Sequence, residues 1–224
     1  MSKIEMPKAD LEIIVKDEEG NIVHRQSGPS HSWVKNFYQY ILGQCTGVHQ
    51  TQTTYATEFY NTSGTAYAGY MKGGPDFYIF RGWGSQGLWA INEIGGWQNF
   101  TGCQIGTGTS MTTESFTDYA LEGYIPDGIV AGTMVKNTST QSFTTSTAGT
   151  VLKMKHDRSF TNNSGGVIPV TESALYAYLT WRDGAAQSTF MINRDTFGAI
   201  SVANGSTIYV AYTIKLTLPY AIHS

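Results

Sequence analysis

A chain of 224 residues that is 41% hydrophobic and only 14% charged has the length and apolar content to bury a real core, and its surface must be covered by Thr, Ser, Asn, Gln and Gly rather than by ions. A net charge of −3 leaves no basic excess to hold phosphate backbones, which argues against nucleic-acid binding. No apolar run approaches the roughly 20 residues needed to span a bilayer, and the opening stretch lacks the apolar core and cleavage site of a signal peptide, so the expectation is a protein made in a cytoplasm, with no membrane partner.

The first element is a hairpin. In "LEIIVKDEEGNIVHR" Leu11, Ile13 and Val15 alternate, Asp17 to Asn21 supply turn chemistry, and Ile22-Val23 resume the strand. The next is a helix over about 31–43, with Ser30 or Ser32 as its cap, Trp33, Phe37, Tyr40 and Ile41 at helical spacing, and Gly43 as its stop. Residues 44–100 are dense in Tyr, Trp and Gly and read as an elaborated insertion with short strands such as "DFYIF" and "LWAI".

"CQIGTGTS" (103–110) then reads as a turn, in which Gly106 and Gly108 supply backbone angles that other residues resist. Strand follows strand from about residue 119: "YALEGYI", "VAGTMVKN", "QSFTTSTAGTVLKMKHDRSFTN", "VIPVTESALYAYLTW", "STFMINRD" and "AISV", with turns at Asn162–Gly166 and Asn204-Gly205. In the last strand Ile208, Val210, Tyr212, Ile214, Leu216 and Leu218 share one face. The pattern predicts a single mainly β domain, an antiparallel sandwich or jelly-roll-like pair of sheets, with 44–100 as its insertion and 101–219 as the main sandwich.

Candidate chemistry is sparse. The glycine turn lacks the lysine of a phosphate-binding loop, and Met111 stands where a dinucleotide fingerprint needs its third glycine. Cys45 and Cys103 lack the spacing of a zinc or redox motif; two reduced thiols are expected rather than a disulfide. A hydrolase built on Cys103 or Ser110 would need His24, His31, His49 or His156 within hydrogen-bond reach. Asp17, Glu18 and Glu19 lack the alternating ligands of a calcium loop and read as a solvated turn. No catalytic residue, metal site or cofactor is expected. The binding candidates are Tyr70, Trp83, Trp89 and Trp97, whose aromatic faces suit a core for the 44–100 region or a subunit interface ahead of a sugar platform.

Three phrases, "IGTGTSMTTESFTDYALEGYI" (105–125), "HDRSFTNNSGGVIPVTESALY" (156–176) and "INRDTFGAISVANGSTIYVAYTIKLTLP" (192–219), together resemble a group of tailed-bacteriophage virion proteins. The opening "DLEIIVKDEEGNIV … SWVKNFYQYI" is similar to that group as well, so the resemblance spans roughly residues 10–43 and 100–219 and leaves 44–99 outside it. It implies a non-enzymatic structural protein located in the virion and assembled in the host cytoplasm. Its partners would be copies of itself and other virion proteins, with capsid decoration on the major capsid protein as the first reading. The alternative is a tail or baseplate component that binds a host glycan.

Overall fold

The computed structural model describes residues 7–30, 33–39, 57–69, 102–108, 114–146, 150–181 and 186–217. Along them the chain forms β1 (Lys8–Lys16), β2 (Ile22–Pro29), a short helix α1 (35–39), β3 (Thr57–Tyr60), β4 (Ala66–Gly69) and β5 (Gly102–Gly106). Then come β6 (Val135–Lys136), β7 (Thr140–Thr145), β8 (Val151–Thr161), β9 (Ile168–Trp181), β10 (Ala186–Val202) and β11 (Thr207–Thr217). The protein is mainly β, and the pairs β1–β2, β1–β11, β11–β8, β6–β8, β7–β8, β3–β4 and β5–β9 all run antiparallel. The chain divides into two compact units: Met1–His31 with Pro126–Pro169 and Ile200–Ser224, and Ser32–Ile125 with Val170–Ala199.

The first unit is built on a sheet of order β2-β1-β11-β8-β6, with β7 also pairing β8. The expected hairpin is β1–β2. Its turn is closed by Asp17, whose two carboxylate oxygens accept from the backbone and side-chain nitrogens of Asn21 at 2.7 and 3.0 Å, while Gly20 takes the positive φ of 88° that the turn requires. That side-chain hydrogen bond from Asn21 draws the Asp17 carboxyl below its ordinary value.

Alternation decides what this sheet buries. Leu11, Ile13 and Val15 lie opposite Tyr212, Val210 and Ile208, and these lie opposite His156, Arg158 and Phe160. All nine side chains are buried. Each fully buried aliphatic contributes about 1.5–3 kcal/mol, so this inner face is what holds the sheet. Two of the nine are basic: Arg158 is 2% exposed and His156 is 0% exposed. Burial pushes the His156 pKa down to about 4.

The second unit carries the sheet β10-β9-β5 and the β3–β4 hairpin. β5 is buried at every residue and pairs with β9 from Gly102 opposite Tyr176 to Gly106 opposite Glu172. The helix occupies 35–39 of the span expected at 31–43; residues 31–32 and 40–43 lie outside the described residues. Asn36, 1% exposed, ties it down. Its amide nitrogen donates to the carbonyls of Tyr60 and Met191, and its oxygen accepts from the Tyr60 N–H. Val34, Leu121, Ala174, Tyr176 and Met191 form an apolar cluster with Tyr124 against it.

Four of the expected elements come out differently. "CQIGTGTS" was expected as a turn, yet Gly102–Gly106 is a buried strand. "YALEGYI" was expected as a strand, yet 119–125 is turns and bends apart from a single bridge between Tyr124 and Gly106. Its backbone is satisfied otherwise: the Leu121 N–H goes to the Tyr176 hydroxyl at 2.8 Å, and the Gly123 carbonyl accepts from Thr107 N–H at 2.7 Å. In "VAGTMVKN" only Val135–Lys136 is strand. "STFMINRD" and "AISV" fuse into the single strand β10. The inserted strands proposed within 70–100 lie outside the described residues.

Candidate functional site

β9 contains one charged residue in fourteen, Glu172, and it points into the second unit at 1% exposure. Burying a carboxylate without donors would cost several kcal/mol. The chain supplies three. Arg194 of β10 donates to Oε2 from Nε at 3.0 Å and from Nη2 at 2.8 Å, and Gly123 N–H donates to Oε1 at 2.8 Å. The remaining reach of the guanidinium, Nη1, donates to Asp118 Oδ2 at 2.7 Å. Burial works against the charge on Arg194, but the hydrogen bonds to Asp118 and Glu172 outweigh it and hold its pKa above the usual arginine value.

The glycine-rich stretch makes room for this centre. Gly106 stands directly opposite Glu172 in the β5–β9 ladder, and a β-carbon on it would lie 2.4 Å from Glu172 Oε1. Neither Gly106 nor Gly108 has a positive φ. Close approach, not backbone angle, is therefore the reason for glycine at 106, which corrects the expectation from sequence. Thr171 Oγ1 donates to the Gly108 carbonyl at 2.8 Å and holds the stretch in place.

Above the centre, residues 114–121 form a loop fastened at several points. Glu114 Oε1 accepts from Thr196 N–H at 2.8 Å. Asp118 also accepts from Ser115 N–H at 2.9 Å, and Lys35 N–H donates to the Phe116 carbonyl at 2.7 Å. Between these anchors the loop turns Phe116 and Tyr119 outward, 55% and 41% exposed, beside Tyr38 at 39%. Phe116 lies 5.5 Å from Tyr38, which meets Phe37 edge-on at 5.7 Å, and Phe37 stacks on Trp33 at 3.9 Å. The β3–β4 turn backs Tyr119: a β-carbon on Gly64 would be 3.0 Å from its ring. The result is a row of aromatic rings from Trp33 through Phe37 and Tyr38 to Phe116, with Tyr38 and Phe116 exposed and suited to contact with a protein surface or a sugar ring.

The arrangement offers little to acid–base chemistry. Both oxygens of Glu172 are committed to N–H donors, and Arg194 has its donors directed at two carboxylates. Cys103 is fully buried on β5. His24 lies on β2 and His156 on β8. Cys45, Ser110, His31 and His49 lie outside the described residues, as do the four predicted binding aromatics Tyr70, Trp83, Trp89 and Trp97. Among the described residues no three His, Cys, Asp or Glu side chains gather as metal ligands, and no helix is long and apolar enough to cross a membrane.

Glu172, Arg194, Asp118, Phe116 and Tyr119 are not among the sites expected from sequence, and Tyr38, expected on the helix's apolar face, is 39% exposed. A signal was present for the first two: each is a charge inside a long, otherwise nearly uncharged strand run, where burial demands a partner. No family model, curated protein or solved structure matches the chain.

Proposed function

We propose that the protein is a non-enzymatic structural component of a tailed-bacteriophage virion, a capsid decoration or auxiliary protein that packs on the major capsid protein and on copies of itself. One observation carries this reading. Of the three phrases that resemble such virion proteins, the first supplies Gly106 and Asp118, the second Glu172 and the third Arg194, and all four residues meet in one buried centre. Phrases far apart in sequence that meet in a single centre describe a fold rather than a composition. The sandwich or jelly-roll-like architecture expected from the strand pattern belongs to the same reading.

The chemistry of the centre supports a scaffold. A buried arginine between two carboxylates fixes the geometry of the loop above it, and that loop offers apolar and aromatic surface. Decoration needs surface of this kind and no reacting group. Mass spectrometry of purified particles tests the assignment: the chain should be present at a fixed ratio to the major capsid protein, and its absence would refute the role.

A second reading, a tail or baseplate module that binds a host glycan, is favoured by the exposed faces of Tyr38, Phe116 and Tyr119. A glycan array distinguishes it. Binding that falls in Tyr38→Ala and Phe116→Ala would support this site, and binding that persists in both would remove it.

A further inference from the structure

Four turns or loops gather at one end of the first unit's sheet, because Lys16, Thr207, Thr161 and Val135 share one register. They are 17–21, 126–134, 162–167 and 203–206. Two of them are bonded together: Asn162 N–H donates to the Ser206 carbonyl at 2.9 Å, and Gly165 N–H donates to Asn204 Oδ1 at 2.8 Å. Glu18 reaches over to Gly205. This end carries Asp17, Glu18, Glu19 and Asp127 against Lys16 and Lys136, and Lys16 is laid over the Tyr209 ring. It also exposes aliphatic side chains: Ile129 66%, Val130 65%, Val167 63%, Val23 60% and Ile22 53%.

The opposite end has the reverse charge. Lys8, Lys215 and Lys153 stand side by side across β1, β11 and β8, with Lys155 two residues on. Among the described residues there, Asp10, which pairs with Lys215, is the acid. Here too there is apolar surface, with Phe143 63% exposed and Leu152 and Leu216 half-buried on the other face of the sheet. At about 3.4 Å per residue, the two ends are about 27 Å apart along the nine residues of β1.

From this complementarity we propose that copies of the chain associate head to tail, the acidic, aliphatic end of one first unit seating on the lysine-bearing end of the next. Like ends repel, so a two-fold contact between identical ends is disfavoured, and the contact is of the heterologous kind that builds rings or rows. The inference deepens the self-association in the proposed function and rests on it only for its biological setting.

Sedimentation of the full chain tests it, with two charge swaps, Glu18→Lys/Glu19→Lys and Lys153→Glu/Lys155→Glu. Wild type should self-associate at about 50 mM salt and weaken at least about tenfold at about 1 M, where screening lengths fall to about 3 Å. Each swap alone should lose at least about tenfold in association, because it sets like charge against like. An equimolar mixture of the two swaps should recover it. Circular dichroism identifies a misfolded swap, for which Glu18→Gln/Glu19→Gln gives the same readout.

Wild type that stays monomeric at about 0.1 mM and low salt would overturn the proposal, as would swaps that assemble like wild type or a mixture no better than its components. A monomer in solution that is still stoichiometric in particles would remove this interface and leave the virion role standing. Salt-sensitive association of a chain absent from particles would do the reverse.

Discussion

The carboxylate of Glu172 occupies the space that a side chain on Gly106 would need: a β-carbon at 106 would stand 2.4 Å from Oε1 and 2.8 Å from Cγ. Gly106→Ala must displace a buried carboxylate and with it the hydrogen bonds from Arg194 and Gly123. Overpacking and the lost bonds together should cost about 3 kcal/mol in urea unfolding. Gly28→Ala is the control. It sits on β2 with open space around it and should change stability by about 0.5 kcal/mol or less.

Arg194 bridges two carboxylates, and its removal leaves the buried Glu172 without its partner cation. Arg194→Met should destabilise by about 3–5 kcal/mol, because Glu172 is left buried with its charge uncompensated. The double variant Arg194→Met/Glu172→Met should lose less than the sum of the two single variants. A double-mutant cycle by urea unfolding measures the difference, and strict additivity would mean that the pair is not coupled.

His156 gives the protein an acid limit. Its pKa is about 4 when folded against an ordinary value of 6.5, because burial disfavours the imidazolium. Between those values the unfolded chain takes up a proton that the folded chain refuses. Stability therefore falls as pH drops from about 6.5 to about 4 and this contribution levels off below, a total on the order of 3 kcal/mol. His156→Leu should flatten that part of the urea-midpoint profile relative to wild type. An unchanged slope would show that the imidazole charges freely in the folded state.

Surface and scaffold should separate experimentally in the 114–121 loop. Phe116→Ala removes an exposed ring and should alter the melting temperature little, while weakening attachment to capsids or to a glycan. Asp118→Ala removes the anchor from Arg194 and Ser115 and should lower both stability and attachment. Equal loss of stability in the two variants would contradict the division of labour.

The strands were legible where one face met water. β1 alternates cleanly, β11 does so apart from the buried Ala211, and Asp17 to Asn21 announces the β1–β2 turn, so both the hairpin and the closing strand follow from side-chain period. β5 was not legible, because all five of its residues are buried and two are glycine, which erases the period and imitates a turn. The 119–125 stretch failed for the opposite reason. It has strand-like residues, yet a tyrosine hydroxyl and the neighbouring Thr107 take its hydrogen bonds. The buried ion centre depends on residues 118, 172 and 194 meeting in space, and only the lone charge of β9 and the Arg194-Asp195 pair of β10 hinted at it.

The most direct measurement of the proposed role is cryo-electron microscopy of particles assembled with and without this chain. Extra density should appear at symmetry-related positions on the capsid exterior, fitted by this β fold and present only when the chain is supplied. Identical capsids in the two preparations, or density confined to the tail tip, would contradict that role.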